Sequence, residues 1–194
     1  ALRVVAPQRF ERLESEPGEE AQVDFLGSPQ LVGPAGGKKK KAWVLRVSLS
    51  HSRKAYSEAI WRQTSEGFIR ALENAFRAFG GVPQTIVIDN LRAAVKRVDW
   101  FEPELNPKVE EFARYYGTLI LPTRPYCPHH KGKVENAVKY LKYNALKGRR
   151  FACLAELNEH LRWWEANVAD QRIHGTTRRQ VQAHFLRDEK PVLG

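Results

Sequence analysis

The stretch that most limits the fold is Thr85-Ile86-Val87-Ile88-Asp89, a short β-branched run with apolar residues at successive positions. A strand of this kind is buried on both faces, so it needs a layer of helices above and below it. The flanking sequence supplies them. Phe68, Ile69, Leu72, Ala75, Phe76 and Phe79 recur at helical spacing, with Thr64 or Ser65 placed as N-cap and Gly80-Gly81 as the stop. Downstream, Asn106-Pro107 has the form of a cap and first-turn proline, and Val109, Phe112, Ala113 and Tyr116 give one apolar face.

Before the first helix the period is two rather than 3.6. AQVDFLG (21–27) has strand composition, and SPQLVGPAGGKKKK (28–41) is a turn-rich connection. In AWVLRVSLS, Trp43, Leu45, Val47 and Leu49 alternate with more polar neighbours, apart from Val44, which predicts a strand with one buried face. A third strand is expected over 55–61 and a fifth over TLIL (118–121). After the loop PTRPYCPHHKGK comes a helix with Val134, Val138, Leu141 and Ala145 inward, then another with Leu157, Leu161, Trp164 and Val168 inward. The order β-β-β-α-β-α-β-α-α predicts an α/β fold. Its sheet is five-stranded and mixed, an antiparallel meander extended by two α-connected strands and flanked by helices. The expected division is an arm or linker over 1–20, a core over 21–150, and a C-terminal helix completing the core over 151–194, followed by linker.

The chain has 194 residues, 42% of them apolar, enough for one substantial core. Lys and Arg number 32 against 22 Asp and Glu, a net charge of +10, with a pI near 9.8. That balance suits a polyanionic partner, nucleic acid first, although a solubility surface would give the same count. Cys127 and Cys153 form no CxxC pair, which argues against a disulfide framework or structural zinc and fits a cytoplasmic setting. No apolar run is long enough for a membrane span. Methionine is absent even at position 1, so a segment of a longer chain is expected.

Three carboxylates stand out. Asp24 lies between Val23 and Phe25 inside a strand, where Asp is depleted. Asp89 ends the buried run, and ligand sites in such sheets lie beyond the carboxyl ends of the strands. Glu135 falls early in its helix, one position off the stripe of Val134 and Val138. Singly, each has a plain structural explanation: a lysine partner for Asp24, a turn cap for Asp89, solvent for Glu135. Clustered, and without His or Cys ligands, they suit hard cations such as Mg²⁺ or Mn²⁺. In a basic chain such ions are useful if they meet phosphate.

With an Asp in the first strand, an Asp after the fourth, and a Glu on the following helix behind a Pro-Tyr-x-Pro-His-His-Lys-Gly-Lys loop, the chain resembles the DDE transposases and retroviral integrases. Within them it is most similar to the IstA-type insertion-sequence transposases, through PGEEAQVDF (17–25), VIDNLRAAV (87–95), RPYCPHHKGKVENAVKYLK (124–142) and RIHGTTRRQV (172–181). Forty-five residues separate Asp89 from Glu135, longer than integrases have, and KRVDWFEPELN (96–106) is the expected surplus.

The resemblance implies an RNase H-like fold and a magnesium- or manganese-dependent polynucleotidyl transferase. Such an enzyme cleaves transposon ends and joins the freed 3′-OH to target DNA. Asp24, Asp89 and Glu135 would hold two ions, with Asp24 bridging. Lys139 and Lys142, four and seven residues after Glu135, would share its helix face over about 10 Å. With Arg124, Tyr126, Lys131 and Lys133 they are the candidate DNA contacts, a solvated lysine face being the alternative. Arg172 and His174 are expected to dock the segment after the last helix, and Trp163-Trp164 to give one core anchor and one exposed neighbour. The implied partners are transposon-end and target DNA, further copies of the chain, and a separate AAA+ ATPase helper of the IstB type, since no Gly-x-x-x-x-Gly-Lys-Ser/Thr loop occurs here. Two other functions use the same residues: a nuclease of this fold that hydrolyses without joining, and a DNA-binding or assembly module with vestigial acids.

Overall fold

The computed structural model describes residues 15–29, 31, 41–88, 95–97, 104–122 and 137–194. The chain opens with β1 (Glu20–Gly27), β2 (Trp43–Leu49) and β3 (Ala55–Ile60), then α1 (Ser65–Phe79) and β4 (Thr85–Ile88). There follow β5 (Val95–Arg97), β6 (Glu104–Leu105), α2 (Pro107–Tyr116) and β7 (Leu119–Pro122). Then come α3 (137–146), α4 (Leu154–Trp164) and α5 (Val181–His184). The five long strands form one sheet in the order β3-β2-β1-β4-β7. β1 runs antiparallel to β2 and parallel to β4, and β4 runs parallel to β7, giving the expected mixed sheet.

Local chemistry sets the helix ends. The Thr64 side chain accepts from the Gly67 N–H, and Gly80 closes α1 at φ 76, donating to Phe76 O. Asn106 caps α2 by accepting from Lys108 N, with Pro107 in the first turn. Apolar residues cover both sides of the sheet. On one side Val23, Leu45, Val47, Ile86 and Ile88 meet Phe68, Leu72, Phe76 and Phe79 of α1 and Val109 and Phe112 of α2. On the other, Leu26, Val44 and Ala59 meet Leu141 and Ala145 of α3 and Leu157, Leu161 and Trp164 of α4. Each large side chain fully buried there contributes about 1.5–3 kcal/mol.

The structure differs from the sequence reading at four places. β2 is buried on both faces, because α4 covers Val44 and Arg46 as α1 covers Leu45 and Val47. The surplus segment contains an antiparallel ribbon, β5 with β6, apart from the main sheet. Val168 is exposed, and Glu165 and Ala169 are buried in its stead. There α4 continues as a π-type turn (Glu165–Ala169) in which Asp170 N donates to Glu165 O at 2.9 Å, and the widened turn rotates the inward face. Finally, the tail is not linker. α5 continues through Phe185–Glu189, Phe185 joins the α1/α2 core, and Gly194 and Val82 exchange backbone hydrogen bonds. Gly81 permits that approach, since a Cβ on it would lie 2.5 Å from Leu193 Cβ. No helix among the described residues is long and apolar enough to cross a membrane.

Candidate active site

Strand alternation decides where Asp24 points. Ala21, Val23 and Phe25 of β1 pack with the α1/α2 core, whereas Leu26 packs with α3 and α4. The intervening Glu20, Gln22 and Asp24 therefore face the α3/α4 side. Directly opposite Asp24 on β2 is Arg46, and opposite Arg46 on β3 is Ser57, so the three lie in a row on that face. Asp24 is half-buried, and its Oδ1 accepts from Phe25 N at 2.7 Å.

Arg46 is the polar residue the sequence reading missed, and an arginine within WVLRVSL was the available signal. It is buried, with Nη1 donating to Glu165 Oε1 at 2.6 Å and to Ser57 Oγ at 2.8 Å. Ser57 Oγ in turn donates to Glu165 Oε1 at 2.7 Å, and the guanidinium carbon lies 5.8 Å from the centre of the Trp164 ring. The π-type turn delivers Glu165 to this point. The arrangement ties the end of α4 to the two strands beside Asp24, and it places a buried cation one strand away from that carboxylate.

α3 covers the same face. Leu141, Ala145 and Leu146 are buried in the cluster that includes Leu26, and Val138 and Tyr140 pack against it. Arg172 lies over the Tyr140 ring at 3.7 Å, docking the segment after α4 onto α3 as expected. Burial lowers the pKa of Arg172, with Tyr140 opposing that shift. Trp164 is buried and Trp163 exposed. Lys139 and Lys142 both lie exposed on α3. Exposed Lys147, Arg149 and Arg150 extend this basic surface, and exposed Tyr143 sits between Lys142 and Lys147 at 6.0 and 5.2 Å. The run KGRR was the signal for those further cations. Asp89, Glu135, Arg124, Tyr126, Lys131 and Lys133 lie outside the described residues.

Known proteins match this arrangement. A putative transposase for insertion sequence element IS5376 from Geobacillus stearothermophilus is 34% identical over 93% of this chain and 45% of its own length. The transposase for an IS21-like insertion sequence element of Bacteroides fragilis is 33% identical over 95% of this chain and 36% of its own. The chain thus spans less than half the length of these relatives. Among solved structures, the HTLV-2 integrase catalytic core in complex with magnesium superposes with a TM-score of 0.55 at 15% identity, covering 88% of this chain and 97% of that one. The catalytic core of BIV integrase gives 0.59 at 15%, covering 87% and 94%. These likenesses make the fold RNase H-like. The integrase core domain family matches residues 14–128 and, with this sheet order and Asp24 on its first strand, the chain belongs to that family.

Proposed function

We propose that this chain is the catalytic core of a DNA transposase of the IstA type, cleaving transposon ends and joining them to target DNA with Asp24, Asp89 and Glu135 as its metal-holding carboxylates. The observation that carries the reading is the register Val23↔Ile88 between parallel β1 and β4. Asp24 and Asp89 are the residues that follow that pair in sequence, which supports the reading that the two carboxylates serve one site. Ile86 and Ile88 of β4 pack on the α1/α2 side, so strand alternation carried one residue further would favour the face of Asp24. α3, which starts two residues after Glu135 in sequence, packs on the face of Asp24.

Three carboxylates without His or Cys form a donor set for Mg²⁺ or Mn²⁺, and the IstA resemblance calls for two ions. Bound there, such ions supply Lewis acidity to a phosphodiester and lower the pKa of an attacking hydroxyl. The carboxylates hold charge and are not attacked, so no covalent protein–DNA intermediate forms. Lys139 and Lys142 contact phosphates flanking the scissile bond, with Arg124, Tyr126, Lys131 and Lys133 serving the loop before α3. Multimers and an IstB-type ATPase helper complete the working assembly. Supporting the multimer, related integrase cores form a trimer and an intasome.

The test is strand transfer by the full chain with transposon-end and target DNA. Asp24→Asn, Asp89→Asn and Glu135→Gln each abolish joining and spare DNA binding. Normal joining by any of them removes that residue from the site, and hydrolysis without joining by the wild type replaces transposase with nuclease.

A further inference from the structure

The turn between β2 and β3 and the connection between α4 and α5 enclose a pocket of about 210 Å³, walled by His51, Arg53, Thr176, Thr177, Arg179 and His184 among others. It lies toward the opposite end of the sheet from the candidate active site. The turn follows Leu49, the partner of Ala21 near the start of β1, and Ser50 N donates to Glu20 O.

The polar groups here are incompletely satisfied. His51 Nδ1 is 2.9 Å from Ser15 O, a carbonyl that only accepts, so this nitrogen carries the proton. His51 Nε2 is then a lone pair, and His184 Nε2, 3.1 Å away, must donate to it. That leaves His184 Nδ1 as a bare lone pair without a hydrogen-bond partner, on a side chain only 4% exposed. Thr177 Oγ1 is a second buried polar atom without a partner. Among the described residues, only Arg53 (φ 69) and Arg178 (φ 53) adopt left-handed backbone without being glycine, and they occupy the two segments that meet at this pocket. Such backbone is strained for any residue but glycine, and of the two it is Arg53 that lines the pocket.

Charge decides what such a pocket takes. Asp188 is already gripped by the Arg187 fork at 2.6 and 2.7 Å and by Arg179 at 3.0 Å. The oxygens of buried Glu189 accept from Gly18 N and Ser52 N. His51, His184 and Asp188 do have donor atoms within 4.8 Å of one another, the spacing of a cation site. A divalent ion there would have to face Arg53, Arg179 and Arg187, with Asp188, the one carboxylate of that group among the described residues, already engaged. An anion meets the opposite situation: guanidinium and hydroxyl donors, and a histidine able to take up a proton.

We propose that this pocket binds a tetrahedral oxyanion of the phosphate type, either a backbone phosphate of bound DNA or a free phosphate ion. Arg53 and Arg179 supply charged donors, and Thr176, Thr177 and His184 line the same space. Burial, His51 and Arg179 lower the pKa of His184 in the empty pocket, so the anion raises it.

The probe is inorganic phosphate titrated into the protein while the His51 and His184 imidazole signals are followed by NMR. One phosphate binds, both signals shift, the pKa of His184 rises, and Arg179→Gln weakens binding by at least about tenfold. Arg53 also shapes its turn, so Arg179, whose side chain is half exposed, is the decisive position. Displacement of phosphate by duplex DNA, with a salt slope lower by about one contact in Arg179→Gln, identifies the DNA backbone as ligand. Phosphate binding undisturbed by saturating DNA identifies the free ion. Either supports the site whether or not strand transfer is found. Unmoved histidine signals at millimolar phosphate, equal affinity in Arg179→Gln, or Zn²⁺ moving both signals and excluding phosphate overturns it.

Discussion

On the α1/α2 side of the sheet Phe68, Phe76, Phe79 and Phe112 close over Val23, Leu45, Ile86 and Ile88; on the α3/α4 side the same sheet carries Glu20, Gln22 and Asp24 in a file, with Arg46, Glu165 and Ser57 buried beside them. One side obtains its stability from apolar area. The other gives up some of that area to hold charge near Asp24. The two side chains that bind Arg46 do not saturate it: Arg46 Nε and Glu165 Oε2 have no hydrogen-bond partner. A partly satisfied buried ion pair is a poor source of stability. Its presence on the strand next to Asp24, directly opposite that residue, therefore points to positioning.

Mutations break or sharpen this contrast, beginning with the largest effect. Phe68→Ala, on the apolar side, costs about 4 kcal/mol in denaturant unfolding, and a cost under about 1 kcal/mol would mean that side is loosely packed. Glu165→Ala costs about 3 kcal/mol because it strands the Arg46 charge, yet Arg46→Met with Glu165→Leu costs about 1 kcal/mol or less. A double variant that loses as much as Glu165→Ala would show the pair to be a net stabiliser, and strictly additive losses would show that the two side chains act independently.

A smaller effect is pH-dependent. His174 has its pKa lowered to about 4 by burial and then by Arg172 and Arg53. The folded state thus resists protonation that the unfolded chain accepts near its ordinary value of about 6.5. The contribution is complete above that value and is lost as pH falls toward 4. After discounting for its partial exposure it is about 1 kcal/mol. His174→Gln removes this slope between the two pH values, and an unchanged slope would assign it to another group. The smallest stability change is that of Asp24→Asn, within about 1 kcal/mol in either direction, since Asp24 is half-buried and belongs to neither apolar cluster.

The parts of this fold that were legible in sequence are those where local chemistry and tertiary need agree. Thr64, Gly80, Asn106 and Pro107 mark helix ends by hydrogen bonds they make themselves. The segment AQVDFLG, read as a strand from its composition, lies in β1. What escaped depends on distant partners. Nothing near Arg46 in sequence announces Glu165, more than a hundred residues away, and the π-type turn that aims it also turned Val168 outward. The tail was read as linker because α5 is short and its inward residues, Val181, His184, Phe185 and Glu189, include two that are polar. Of the site itself, Asp24 stands where its strand position implied, while Asp89, Glu135 and the loop cations lie outside the described residues.

Manganese soaked into crystals of the protein and located by anomalous scattering tests the central claim most directly. The account predicts Mn²⁺ on the α3/α4 face, liganded by the Asp24 carboxylate together with Asp89, and its loss in Asp24→Asn. Mn²⁺ bound away from Asp24, or bound unchanged in that variant, would contradict it.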